Sequence, residues 1–462
     1  GLRLKRTVFF VEKNMTKLWQ KQWTLNKQVE AFETGGDLLL DQKLIWADVA
    51  GSFAHAMMLA KIGILTKKEL QKAKKGLLAI QKLAKLGKFM LKNGDEDIHT
   101  KIENYLTSQC GSVGEKIHTG RSRNDQVLTA IRLFTKNELI NIWITAVDLA
   151  LAFVVFAKKY EFVSMPGYTH MQKAMPSSVG MWAGSFAESL IDDVALLKAT
   201  LALIDQSPLG SAAGYGVPLP LDREYTTKLL GFAKTQNNSL YCQNSRGKFE
   251  ASVVASLLTI MQTVNKFATD VMLFTTSEFG FFTVDDELTT GSSIMPQKKN
   301  IDVAELLRSK VHILLGNYTS IVGISSNLPS GYNRDLQDTK KPLMESLEIS
   351  NQTISIAKLL LENLTPNVQK LKASMTPELF ATARVLVNVQ KGIPFRVAYK
   401  NAVLPMAPKN ETSRIGNLGL SIIQKKLTAE HAVCLNARKQ FNAILARLGY
   451  ICPDVKSGLK KR

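Results

Sequence analysis

The chain has 462 residues, 45% hydrophobic and 21% charged, with 59 Lys and Arg against 39 Asp and Glu for a net charge of +20. This is the balance of a soluble globular protein long enough for roughly three domains and a large core. Cys110, Cys242, Cys434 and Cys452 make no CxxC pair and no His/Cys cluster at zinc spacing, which excludes a disulfide framework and fits a reduced, cytoplasmic compartment.

At the N-terminus, Gly1-Leu-Arg-Leu-Lys-Arg-Thr-Val-Phe-Phe-Val11 is basic and then apolar. The run is too short to cross a membrane, and Met15 reads as a start site with residues 1–14 an extension. No long uninterrupted apolar run follows, so no membrane partner is expected.

From Asp41 to about Ile64, the spacing of Leu44, Ile45, Val49, Phe53 and Met57 predicts a helix. Gly63 closes it, and Thr66 with Glu69 forms a capping box for the next. The lysines of Thr66-Lys-Lys-Glu-Leu-Gln-Lys-Ala-Lys-Lys75 read as a solvated face. Such charge draws in anions generally. Without zinc-finger spacing, an RNP motif or aromatic–basic interleaving, no specific nucleic-acid partner is expected.

Asp95-Glu-Asp-Ile-His-Thr100 opens another helix, and His99 within it has no evident role. His118-Thr-Gly-Arg-Ser-Arg-Asn-Asp-Gln126 then packs two guanidiniums, hydroxyls and a carboxamide at the entry to a long helix. Arginine forks match carboxylates bidentately, although the same cluster also serves as an N-terminal cap, Asp125 above all.

Four long helical stretches dominate the middle: 126–160, 177–206, 248–276 and 300–325. Helices apolar over most of their faces must be buried in a bundle or an oligomer. Phe281-Phe-Thr-Val284 is at most a short strand, so the fold class is all-α. Beyond Thr376 the pattern changes to shorter helices broken by Gly392-Ile-Pro394, Pro405 and Pro408. The expected domains are therefore 1–125, a central long-helix bundle over 126–375, and a small helical domain over 376–462.

Between the helices lie the candidate working loops. Met165-Pro-Gly-Tyr-Thr-His-Met-Gln-Lys-Ala-Met-Pro176 sets His170 in a proline-bounded loop, the kind of place where functional residues sit. His55, His312 and His431 read as structural. Gly291-Ser-Ser-Ile-Met-Pro-Gln-Lys-Lys-Asn300 joins glycine and two hydroxyls to two lysines, with Asn300 suited to cap the helix carrying Asp302 and Glu305. If that helix reached back far enough, Lys298 and Glu305 would share a face. A serine beside ammonium groups and backbone N–H donors can be stabilised as an alkoxide. Leu328-Pro-Ser-Gly-Tyr-Asn-Arg-Asp-Leu-Gln-Asp-Thr-Lys340 is a polar turn that begins another helix. Ser245-Arg246 and Glu250 are weaker candidates.

These segments together resemble the argininosuccinate lyase family of the fumarase/aspartase superfamily. HTGRSRNDQ (118–126), MPGYTH (165–170), SPLG (207–210), GSSIMPQKKN (291–300) and LPSGYNRDLQ (328–337) carry the resemblance, which spans roughly 17–392. It implies three helical domains, with the central one joining its counterparts in a homotetramer whose active sites are shared between subunits. It also implies reversible elimination of argininosuccinate to arginine and fumarate, without metal or cofactor. The roles it implies are Ser292 as base, Lys298 as the cation for the developing charge, and His170 with Glu305 for protons. Ser122, Arg123, Asn124, Thr169, Tyr332, Gln337, Lys340 and Arg246 would hold substrate.

Three positions depart from the family. Ile301 replaces a proline, Gly247 follows Ser245-Arg246 in place of aspartate, and Asp37 falls near an expected substrate-contacting serine. Other readings are a lyase for another succinyl-amine, a catalytically silent crystallin-like homologue, and a charge-driven nucleic-acid binder.

Overall fold

The computed structural model describes residues 26–92, 95–402 and 418–450. The proposed extension and start site, with Cys452 and the basic tail, lie outside them. The described chain is helical, with four two-stranded pairings.

The centre is the Arg123–Lys159 helix, whose buried residues face all round its axis. Against it pack the Val179–Ile204, Lys340–Glu362 and Leu420–Arg447 helices. The Lys248–Phe274 helix packs on Val179–Ile204 and Lys340–Glu362, and the Asp302–Ser325 helix covers it. Phe153, Phe186 and Phe267 meet where three of these helices cross, with ring centroids 5.0–5.7 Å apart. Stacked and edge-to-face aromatic contacts of this kind add to the burial that holds the bundle together. The Arg123–Lys159 helix is long and apolar enough to span a membrane by length and composition, but most of its apolar window is buried in the bundle.

The Asp37–Lys61 helix lays one side on the Arg123–Lys159 helix and carries the Lys67–Lys85 and Ile98–Cys110 helices. The expected capping box is present: Glu69 N donates to Thr66 Oγ1 and Thr66 N to the Glu69 carboxylate.

Three local expectations are corrected. The segment around His170 is a β-hairpin, Ser164–Thr169 paired antiparallel with Gln172–Ser178, and His170-Met171 is its two-residue turn. Its prolines are tolerated because a two-stranded ribbon has free edges where no ladder N–H is needed. Second, the helix carrying Glu305 begins at Asp302, with Ile301 at its N-cap and no side-chain cap; Asn300 pairs its backbone with Thr290 instead. Lys298 is therefore in the loop and not on Glu305's helix. Third, the C-terminal part is not built of short helices alone, because Leu420–Arg447 is a 28-residue helix lying back on the bundle.

Candidate active site

Seven of the sequence-predicted residues gather where the Asp37–Lys61, Arg123–Lys159 and Lys340–Glu362 helices begin. Ser122 is the N-cap of its helix: its hydroxyl accepts from Asn124 N, while Asp125 accepts from Ser122 N. Arg123 and Asn124 follow in the first turn and line a cleft of about 200 Å³ together with Arg246, Tyr332, Gln337 and Lys340. Arg246 and Tyr332 stack, guanidinium to ring, at 4.8 Å.

The cleft wall also holds Asp41, Glu96 and Asp97, which sequence reasoning did not place in a site, and Asp37, which it placed only near a substrate-contacting position. Arg123 is clamped by Glu96, with its second nitrogen 2.8 Å from Oε2 and Asp97 at 3.5 Å. Lys340, only 3% exposed, donates to Asp37 at 2.7 Å and Asp41 at 2.6 Å. Burial opposes its charge, but the two carboxylates outweigh this and hold the ammonium above its ordinary range. Gln337 donates to the Glu33 carbonyl at 3.0 Å. A second signal that hinted at the acidic wall was the cap of the Ile98–Cys110 helix, where Asp97 accepts from Thr100 N.

Behind the wall the polar groups are buried and paired. His99 and Asp48 form an ion pair, and despite burial that charge and hydrogen bond push His99 up to about 9. Arg121 donates to Ser52, and His118 meets Glu103 at 2.6 Å. Asp125 accepts from Ser122 N, Gly210 N and Ala212 N, so it fastens the 207–212 loop to the long helix as well as capping it. Burial nonetheless pushes its carboxyl up to about 6. His55 is buried on the Thr119 carbonyl, as a structural histidine should be.

Thr169, His170, Ser292, Lys298 and Glu305 do not line this cleft. His170 is exposed at the hairpin tip with φ 52, a left-handed conformation that is costly for a non-glycine residue and recurs at working sites. Thr169 ends the first strand beside it, and Lys173 anchors the second strand to the Ser374 carbonyl at 2.7 Å. In the other loop, Ser292 Oγ accepts from Ile294 N at 3.3 Å and Met295 N at 3.1 Å. Lys299 is tied to Asp286 at 2.6 Å, whereas Lys298 is exposed with no ion pair among the described residues. Glu305 stands exposed in the first turn of its helix.

The departures have physical readings. Gly247 has φ +76, and a Cβ there would collide with Ser325, so aspartate does not fit this backbone. Ile301 is the N-cap and lies outside the first helical turn, so the missing proline removes no preset turn, and Thr290 donates to Asp302 at 2.6 Å.

Among known proteins, a family model described as "Lyase" matches residues 26–316. The argininosuccinate lyase of Thermotoga neapolitana is 44% identical over 384 residues, covering 83% of this chain and 96% of that one. The argininosuccinate lyase of Sorangium cellulosum is 40% identical over 423 residues, covering 89% and 98%. Among solved structures, an EDDS lyase in complex with formate superposes with a TM-score of 0.74 at 22% identity, covering 92% and 95%. Class II fumarase from Schistosoma mansoni superposes with a TM-score of 0.67 at 17% identity, covering 89% and 91%; both show a shared helical fold. With relatives this similar along most of both chains, the chain belongs to the argininosuccinate lyase family.

Proposed function

We propose that this protein cleaves argininosuccinate reversibly to arginine and fumarate, as a step in making arginine. The observation that carries the mechanism is the Ser292 hydroxyl accepting two backbone N–H groups in an exposed loop beside Lys298. Those donors stabilise an alkoxide, which serine needs in order to act as a base. Ser292 removes the weakly acidic proton next to a succinyl carboxylate, and the resulting aci-carboxylate gathers charge that Lys298 offsets. Electrons return to expel the guanidino nitrogen as the Cα–N bond breaks, while His170 manages the proton on the leaving side, with Glu305 as its proposed partner in the assembled site. The elimination is redox-neutral and calls for no cofactor.

The loop and the hairpin lie outside the cleft of their own chain, so the site is completed by other copies in a homotetramer. Supporting this, exposed apolar residues repeat at seven-residue spacing: Leu196 and Leu203, Leu306 and Ile313, Leu315 and Val322. Such spacing keeps a stripe facing a partner helix. A cytoplasmic setting is supported by Cys110, Cys242 and Cys434, all free thiols. Ultraviolet detection of fumarate when purified protein meets argininosuccinate tests the activity. Fumarate appearing with arginine supports it, and a folded protein releasing none sinks it.

A further inference from the structure

Resting on that reading, we infer that Asp37 is a specificity-determining residue, its carboxylate receiving the α-ammonium group of the substrate's arginine end. The bond that breaks joins the guanidino nitrogen to the succinyl carbon, so the proton-handling groups belong at that end. The cleft wall carries Asp37, Asp41, Glu96 and Asp97, which would repel the two carboxylates of the succinyl end, so the cleft takes the amino-acid end at the far side of the methylene chain.

That end is a zwitterion and needs one anion and one cation. The cation is Arg246, buried to 7% exposure, stacked on Tyr332 and without an ion pair among the described residues. Lys340 and Arg123 are unsuited to a carboxylate, because each already faces two acids. The sequence had suggested Lys340 as a direct substrate contact; its geometry makes it the post on which the acids are mounted.

Among the acids the choice is narrow. Glu96 and Asp97 are held by Arg123, and Asp41 is 4% exposed at its side chain, spending one oxygen on Lys340 and the other on Ile98 N. Glu33 sits 3.5 Å from Arg334. Asp37 gives Oδ2 to Lys340, while Oδ1 has no hydrogen-bond partner among the described residues, and its side chain is 22% exposed into the cleft. A neutral hydroxyl here would only accept a hydrogen bond. A carboxylate adds charge, and a charge-assisted hydrogen bond is roughly twice as strong as a neutral one.

The test is calorimetric binding of arginine and of its desamino analogue, 5-guanidinopentanoate, to the full-length wild type, Asp37→Asn and Asp37→Ser. Lys340 keeps Asp41 in both variants, and thermal melting checks that they fold. Wild type should prefer arginine, and both variants should lose about tenfold in arginine affinity, one charge-assisted bond's worth, with the analogue unchanged. Equal loss for both ligands would mean that Asp37 acts only by holding Lys340, and no loss for either would remove it from the site. Either result overturns the inference while leaving fumarate release intact. A wild type that neither binds arginine nor releases fumarate would overturn the reading beneath it and the inference together.

Discussion

The cleft wall and the two loops that complete the proposed site are built in opposite ways. In the wall, Lys340, Asp41, Asp48 and His99 are almost wholly buried, and each charge faces an opposite one. His170 and Lys298 in the loops, and Glu305 in the helix turn that follows, are exposed, and neither His170 nor Glu305 has an ion pair among the described residues. The wall is a rigid receptor whose polar groups also hold the fold together. On the proposed reading the loops carry the reactive groups and meet substrate held by another copy, so they should contribute little to the stability of their own chain. Substitutions should therefore split cleanly into those that cost activity alone and those that cost folding.

The largest separation is expected at Ser292. Ser292→Ala should lower the rate of fumarate release by roughly 10²–10⁴-fold, the range for losing a positioned base, with no change in melting temperature. Concurrent loss of stability would mean that the loop is structural. At Asp41 the pattern should reverse: Asp41→Ala leaves Lys340 buried with only Asp37, and should cost about 3–5 kcal/mol in urea unfolding. Gly247→Asp, which restores the family's usual residue, should destabilise by about 1–3 kcal/mol because the backbone is left-handed and Ser325 blocks the Cβ. The same substitution in a variant with Ser325→Gly should cost less.

A pH dependence confined to the wall is expected as well. His99 binds its proton more tightly folded, near 9, than at its ordinary 6.5. Its contribution to stability is thus full below about pH 6.5 and is lost as pH rises through about 9. Unfolding measured across that window should show this decline in the wild type and a flatter profile in His99→Gln.

The two regions also differed in how much the sequence disclosed. The long helices were legible from apolar periodicity, and the 123–126 and 292–298 segments from their dense polar chemistry. The hairpin around His170 was hidden by Pro166 and Pro176, which read as loop markers where strand partners cannot be seen. The acidic wall was hidden for a different reason: Asp41 and Lys340 are 299 residues apart, and nothing local marks either as half of an ion pair. Asp125 read as a cap, and the cap exists, but its hold on Gly210 and Ala212 is a tertiary fact.

The division of the site between copies is tested most directly by mixing two inactive variants, Ser292→Ala and Arg246→Ala, unfolding them together and refolding them. If loop and cleft come from different copies, some sites in the mixed oligomers have both native residues, and fumarate release should rise well above either variant alone. If each copy supplied its own loop and cleft, every site would keep one lesion. No recovery from well-folded mixed oligomers would contradict the account.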